Sequence, residues 1–283
     1  MNKIEWPNHR DPSQPRGRQR TCHGSGRQHP STLSPAETAP RRAPIQYDGT
    51  NFSGFQSQKN LSGIQDKIES SIFVLNNNKK VKIYGASRTD AGVHALGQVA
   101  HFDLDSKLTD KELHRAINAR LDKEIRISHL SKIEESFHSR FDAKSKEYNY
   151  LCCLSDNPLN LKDHYHVKNI DIKLLMEVSK IIEGKHNFLS FSKFSNKQNN
   201  DCEIFASKWV FDDKNHEKLL YIIHGNRFLH HMVRYLVGSM IAVSQNKISI
   251  DDFKTLLNQP RKDAKIFKAP GNGLVLKEIF YEN

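Results

Sequence analysis

The sequence lacks the features that mark secreted, disulfide-bonded and membrane-inserted proteins. It has only four cysteines, with no CxxC spacing and no ligand pattern for a structural zinc ion, so we expect reduced thiols. No run of about 18 apolar residues occurs, so no membrane span is expected. The N-terminus has no apolar signal-peptide core, so no secretion signal is expected. Together these absences predict a cytoplasmic protein.

The chain is basic, with a formal net charge of +11, which predicts a polyanionic partner. Residues 1–44 supply +5 of that charge through eight basic and three acidic residues. The remaining +6 is spread over the rest of the chain, so charge alone is weak support for nucleic-acid binding.

Residues 1–44 differ in kind from the rest of the chain. They hold seven of the ten prolines, and seven of their eight basic residues are arginines, whereas lysine dominates elsewhere. Little apolar periodicity is visible, which predicts a disordered or foreign N-terminal extension. A basic RNA-binding arm remains an alternative for this segment.

From residue 45 onward, helical and strand patterns alternate. Ile64, Ile68 and Ile72 recur at helical spacing, and Thr109 with Glu112 forms a capping box for a second helix. Strand patterns such as "QVAHFDL" and "KEYNYLCCL" separate the helices. We therefore predict an α+β fold. Two similar α/β halves, residues 45–150 and 151–283, should form a largely antiparallel, mixed sheet flanked by helices.

The stretch "SRTDAGVHALGQVAHF" (87–102) places one carboxylate, Asp90, in a small-residue turn between two predicted strands. The nearby Arg88 favours the ionised acid, which suits a nucleophile or a base. No second acid lies near it, so the paired carboxylates of a glycosidase are not visible. His94 follows four residues later without a third ligand at metal spacing, and no metal is predicted. A turn aspartate that caps backbone N–H groups remains the alternative.

The segment "RTDAGVHALGQVAHFD" (88–103) resembles the signature of the TruA family of tRNA pseudouridine synthases. Further blocks resemble the family in the same order, and together they cover nearly all of residues 45–283. They are "YDGTNFSGFQ" (47–56), "SFHSRFDAKSKEYNYL" (136–151), "GKHNFLSF" (184–191, with Asn187 in place of the usual Asp), "NRFLHHMVRYLVGSM" (226–240) and "APGNGLVL" (269–276). Residues 1–44 match nothing in the family.

The resemblance implies the pseudouridine synthase fold with its active site in a central cleft. It implies Asp90 as the nucleophile, Tyr148 stacked on the uracil where it could assist proton transfer, and Arg234 paired with Asp90. RNA contacts are expected for three further residues, with loop shaping as the alternative for the last two: Arg88, His94 and Gln98.

The implied reaction isomerises uridine to pseudouridine in the anticodon stem-loop of tRNA, at positions 38, 39 and 40. It needs no cofactor and no metal. The implied partners are tRNA and a second copy of the chain, since members of the family are homodimers.

Three readings compete with an active synthase. The first is an N-terminally damaged enzyme. Arg41, Arg42 and Pro44 stand where the family has the first half of its first strand, and proline is poorly tolerated in a central strand, so we expect this strand to be shortened. A catalytically inactive RNA-binding or RNA-folding protein of the same fold is another, and an Asp-based hydrolase is the third.

His230 and His231 resemble a metal pair. However, adjacent residues on a predicted helix diverge by about 100°. We therefore expect one imidazole to pack in the core and the other to meet RNA or solvent.

Overall fold

A computed structural model describes residues 37–160, 162–194, 199–211 and 217–282. The described residues all belong to one compact unit. Most of the predicted extension, residues 1–36, lies outside the described residues.

The described chain is organised around one mixed sheet, which confirms the α+β prediction. The main path runs β4-β1-β3-β11-β6-β10-β9-β8, with β2, β5 and β7 attached to β3, β1 and β6. All pairs on this path are antiparallel except β11 with β3. The strands are β1 (Glu37–Tyr47), β2 (Tyr84–Gly85), β3 (His94–Ser106), β4 (Ile125–Ile127), β5 (Ser131–Lys132), β6 (Ser145–Cys153), β7 (Tyr165–His166), β8 (Gly184–Asn187), β9 (Asp201–Phe211), β10 (Lys218–Gly225) and β11 (Leu274–Phe280).

Helices are placed much as their sequence signals predict. The Thr109–Glu112 capping box is present, and the Asp171 side chain caps the third helix by accepting from the Leu174 N–H. The helices are α1 (Ile64–Leu75), α2 (Asp110–Asn118), α3 (Ile172–Lys180), α4 (Met232–Ser244) and α5 (Ile250–Asn258). Helix α4 is buried almost all round. Among the described residues, no helix combines the length and apolarity that crossing a membrane requires.

The prediction of disorder is wrong for residues 37–44, and so is the prediction of a shortened first strand. Strand β1 pairs with β3 in a ladder that includes Pro40 and Pro44. Their carbonyl groups accept from the N–H groups of Ile133 (3.1 Å) and Ser128 (2.9 Å), on the opposite edge of the strand. Since the nitrogen and carbonyl of a strand residue face the same neighbour, the missing N–H groups also face this edge. There β4 and β5 are short and interrupted, so the prolines do not break the continuous ladder with β3.

Strands from both predicted halves are interleaved in the sheet. The proposed boundary after residue 150 falls inside β6, and β11, from the end of the chain, lies between β3 and β6. The relation between the two halves stays a prediction. The helix predicted to include His230 and His231 is also shorter than expected. Residues 226–231 lie before α4, which begins only at Met232.

Arg41 ties β1 to the body of the protein. Its side chain is only 2% exposed, and its Nε donates to Asp110 Oδ1 at 2.9 Å. Its Nη1 donates to the Leu104 carbonyl at 2.7 Å. A residue from the predicted extension is therefore part of the folded core.

Replacing Arg41 with Met should lower the free energy of unfolding by about 3 kcal/mol, because it leaves Asp110 and the Leu104 carbonyl without their buried partner. Urea unfolding of the full chain measures this loss. The matched control, Arg120→Met, removes an exposed arginine and should change stability by less than about 0.5 kcal/mol. A loss below about 1 kcal/mol for Arg41→Met would show that the buried pair contributes little.

Candidate active site

The turn that carries Asp90 is shaped by glycines. Gly92 adopts φ +75°, a conformation that side chains rarely adopt, and the Val93 N–H closes the turn on the Asp90 carbonyl at 3.2 Å. Gly54, at φ +105°, lies so close that a Cβ there would stand 2.5 Å from the Thr89 carbonyl oxygen. The loop after β1 therefore packs directly on the turn and fixes its backbone.

Asp90 is held by an arginine from the first turn of α4. Arg234 Nη1 donates to Asp90 Oδ2 at 3.0 Å, across 144 positions of sequence. Arg234 Nε donates to the Ala269 carbonyl at 2.9 Å, which fixes the guanidinium in turn. The two side chains are 17% and 13% exposed, so the pair is poorly hydrated but reachable from solvent. The carboxylate is thus held in one orientation.

Both histidines before α4 point at the same carboxylate, so the predicted divergence of their rings is wrong. The predicted difference in surroundings is present, because the His231 side chain is 16% exposed and the His230 side chain is 50% exposed. The helix starts only at Met232, and His231 adopts a left-handed φ of 64°. This turns the two rings together, with centroids 4.0 Å apart. His230 Nε2 lies 3.6 Å from Asp90 Oδ1, and His231 Nε2 lies 3.5 Å from Oδ2.

These imidazoles are neutral near pH 7. Burial lowers the pKa of His230, and it lowers the pKa of His231 to about 4, with Lys268 and Arg234 acting in the same direction. Their contacts with Asp90 at neutral pH are therefore contacts of neutral rings. The charge that balances the carboxylate comes from Arg234.

Tyr148 lies in the wall of the same cleft. Its hydroxyl shares a 2.8 Å hydrogen bond with Ser87 Oγ, and its ring meets Phe228 edge-on at 5.1 Å. Burial raises the pKa of its phenol to about 12, and nearby Asp90 adds to this shift. The phenol is therefore protonated at neutral pH.

The cleft that contains these residues has a volume of about 910 Å³ and a basic lining. Arg88 is exposed on it, where the sequence predicted an RNA contact. Exposed aromatic surface comes from Phe194. The other basic lining residues are Arg140, Lys146, Lys193 and Arg227.

Gln98 and His94 do not line the cleft. The burial of Gln98 contradicts its prediction as an RNA contact, whereas the RNA contact predicted for the half-buried His94 stays a prediction. Gln98 is fully buried; its amide donates to the Ser87 carbonyl at 2.6 Å and accepts from the Ser87 N–H at 3.1 Å. His94 accepts from the Gly49 N–H at 3.1 Å and contacts the Asn272 carbonyl at 3.0 Å. Both residues shape the loop, the alternative that the sequence left open.

Ser87, Lys146 and the joint position of the two histidines were not predicted from the sequence. The histidine pair carried a signal, since it stands directly before an apolar helix that begins without a capping side chain. Asp90, His230 and His231 also bring three possible metal ligands within 4.8 Å of one another. Arg234 already occupies Oδ2 and opposes a cation there, so we assign no metal to this cluster.

Comparisons with known proteins agree on one family. A sequence model described as tRNA pseudouridine synthase matches residues 43–142 and 178–282. A tRNA pseudouridine synthase A of Phytoplasma mali is 40% identical over 84% of this chain and 96% of its own length. One of Streptococcus pyogenes serotype M1 is 35% identical over 86% of this chain and 98% of its own.

Gln98→Leu should destabilise the protein by about 2–5 kcal/mol, because it leaves the buried N–H and carbonyl of Ser87 without partners. Gln259→Leu, at an exposed glutamine, is the matched control and should change stability by less than about 0.5 kcal/mol. Urea unfolding of both variants checks this. Equal stabilities would contradict the role assigned to Gln98.

Acid should destabilise the protein partly through His231. Its pKa is about 4 in the folded chain and 6.5 ordinarily, so between these values the unfolded chain binds a proton that the folded chain does not. The free energy of unfolding therefore falls as pH decreases through this window. Between pH 7 and pH 5, the free energy of unfolding of His231→Gln should therefore fall less than that of the wild type. The difference should be no larger than the effect of about one titrating proton.

The control for this pH dependence is His129→Gln, at an exposed histidine, which should follow the wild type. Urea unfolding at both pH values decides the question. An equal loss of stability in His231→Gln and wild type would contradict a neutral, buried His231.

Proposed function

The chain belongs to the tRNA pseudouridine synthase family, and we propose that it converts uridine to pseudouridine at positions 38, 39 and 40 in the anticodon stem-loop of tRNA. The observation that carries this proposal is the Asp90–Arg234 pair, set in a basic cleft with Tyr148 in its wall. A tRNA substrate also agrees with the net charge of +11.

The proposed reaction is balanced without any other reactant. The bond between N1 of uracil and C1′ of ribose breaks, the uracil turns, and a bond forms between C5 and C1′. The hydrogen on C5 leaves to water and N1 gains a proton. No electrons enter or leave, so the chemistry depends on positioning and on proton transfer.

Asp90 is proposed as the nucleophile. Arg234, itself fixed by the Ala269 carbonyl, donates to Oδ2, while Oδ1 lies 3.6 Å from Nε2 of the neutral His230 ring. Two routes are open to it, attack on the ribose and attack on the base, and a carboxylate acting as base on the ribose is a third. All of them need an ionised, oriented carboxylate, which the Arg234 guanidinium favours.

Tyr148 and Arg88 are proposed to receive the target nucleotide. A stacked base cannot reach Asp90, so the uridine must flip out, at a cost of roughly a few kcal/mol. The ring of Tyr148 would lie against the uracil, and the exposed Arg88 would hold phosphate or keep the nucleotide extruded. Because its pKa is about 12, Tyr148 would act as a protonated phenol that donates or relays a proton.

We further propose that the working form is a cytoplasmic homodimer. Two subunits would double the positive charge available to one RNA.

The alternative of an N-terminally damaged enzyme is less well supported, because residues 41–44 lie within strand β1. The inactive RNA-binding protein and the hydrolase differ from the synthase in their products.

The decisive experiment uses unmodified tRNA with tritium on C5 of its uridines. The wild type should release tritium to water, and Asp90→Asn should release it at least roughly 10³-fold more slowly. Transcripts that keep a single uridine among positions 38, 39 and 40 assign the site. Circular dichroism and size-exclusion chromatography confirm that the variant is folded and has the same oligomeric state.

Each competing function has its own outcome. Tight tRNA binding without tritium release by the folded wild type would favour the inactive RNA-binding protein. Free uracil in the products would favour the hydrolase. Release from uridines outside the anticodon stem-loop would keep the reaction and overturn the proposed position.

A further inference from the structure

Lys146 is a half-buried cation that the proposed chemistry leaves without a role. It lies on β6, two residues before Tyr148, and so faces the same side of the sheet and lines the same cleft. Its Nζ donates to the Ala86 carbonyl at 2.9 Å, directly before the turn that carries Asp90. An ammonium has three donors, so two remain to be satisfied.

The charges around Lys146 have the same sign as its own. Arg140 precedes β6, and Arg227 follows β10, whose last residue, Gly225, pairs with Lys146 in the sheet. Both arginines are exposed, line the cleft and act electrostatically on Lys146. Burial and these two arginines lower the pKa of the ammonium to about 8.

These three cations line one cleft and repel one another, and an anion bound among them would relieve that repulsion. A buried charge is costly without a counter-ion, and like charges add to that cost. Arg140 and Arg227 can also offer forked donors, which match the oxygens of a phosphate group. The arrangement therefore fits an anion that arrives with the substrate.

We propose that Lys146, Arg140 and Arg227 form a binding site for a backbone phosphate adjacent to the flipped uridine. This inference rests on the proposed function. It identifies the side chains that would bind the RNA backbone while the flipped base lies in the cleft. Lys146 would join the phosphate to the Asp90 turn through the Ala86 carbonyl, so that substrate binding and the position of the turn are coupled.

The first test compares RNA affinity across salt concentrations. Arg140→Gln, Arg227→Gln and Lys146→Met should each weaken binding of an anticodon stem-loop RNA by about tenfold or more. Each should also flatten the slope of log affinity against log salt by about 0.7–0.9. Lys254→Met, which removes an exposed lysine that does not line the cleft, should change neither.

The second test asks whether these side chains meet the phosphate directly. Stem-loops carry one neutral methylphosphonate linkage, placed 5′ or 3′ of the target uridine. At one of these two positions, the neutral linkage should weaken binding by the wild type and by Lys254→Met by a similar factor. The same linkage should weaken binding by the Arg140, Arg227 and Lys146 variants little further, because their contact with the phosphate is already lost. Strictly additive losses at both linkages would overturn the proposal.

A third readout separates a phosphate contact from a merely structural lysine. Wild-type affinity should fall as pH rises through about 8, since the Lys146 ammonium then deprotonates while the Tyr148 phenol, with a pKa of about 12, keeps its proton. Lys146→Arg should remove this pH dependence and keep binding. If Lys146→Met fails to fold, the two variants at exposed arginines still decide the outcome.

Failure of this inference is distinguishable from failure of the proposed function. Tritium release by the wild type with no coupling at either linkage would overturn the phosphate site alone. Absence of tritium release from every substrate would overturn the function on which the site rests.

Discussion

The geometry of the candidate active site depends on the ion pair between Asp90 and Arg234. This pair joins a glycine-shaped turn to the first turn of a buried helix, across 144 positions of sequence. Gln98 donates to the Ser87 carbonyl just before the turn, and Gly54 packs on the Thr89 carbonyl within it. The Ala269 carbonyl accepts from the guanidinium of Arg234. A carboxylate supported in this way cannot relax toward solvent when the cleft fills.

The surroundings of the pair make its charge balance simple at neutral pH. Burial keeps both neighbouring histidines neutral, so one guanidinium faces one carboxylate. Further positive charges on the cleft lining come from Arg88, Arg140, Lys146, Lys193 and Arg227. These charges are therefore available to attract a polyanion into the cleft, because Arg234 alone balances the charge of Asp90.

Local signals predicted local structure well, and tertiary structure decided the rest. The capping box of α2 and the alternation in β6 depend on neighbouring residues and were readable. The meeting of Asp90 with Arg234 came from the family resemblance, because spacing alone cannot bring them together. The convergence of the histidines depends on one left-handed residue, His231, and the tolerance of Pro44 depends on how short the adjoining strands are. Neither property is written in the residues concerned.

The last strand of the chain, β11, lies between β3 and β6, in the interior of the sheet. The loop before it provides the carbonyl groups that meet Arg234 and His94. During synthesis, the edges of β3 and β6 that pair with β11 therefore stay unpaired until residues 274–280 have left the ribosome. Docking of β11 therefore completes the interior of the sheet and places the carbonyl groups that meet Arg234 and His94 in the same step. Such long-range pairing also predicts slow folding, which makes the interval before β11 docks the period of greatest risk of aggregation.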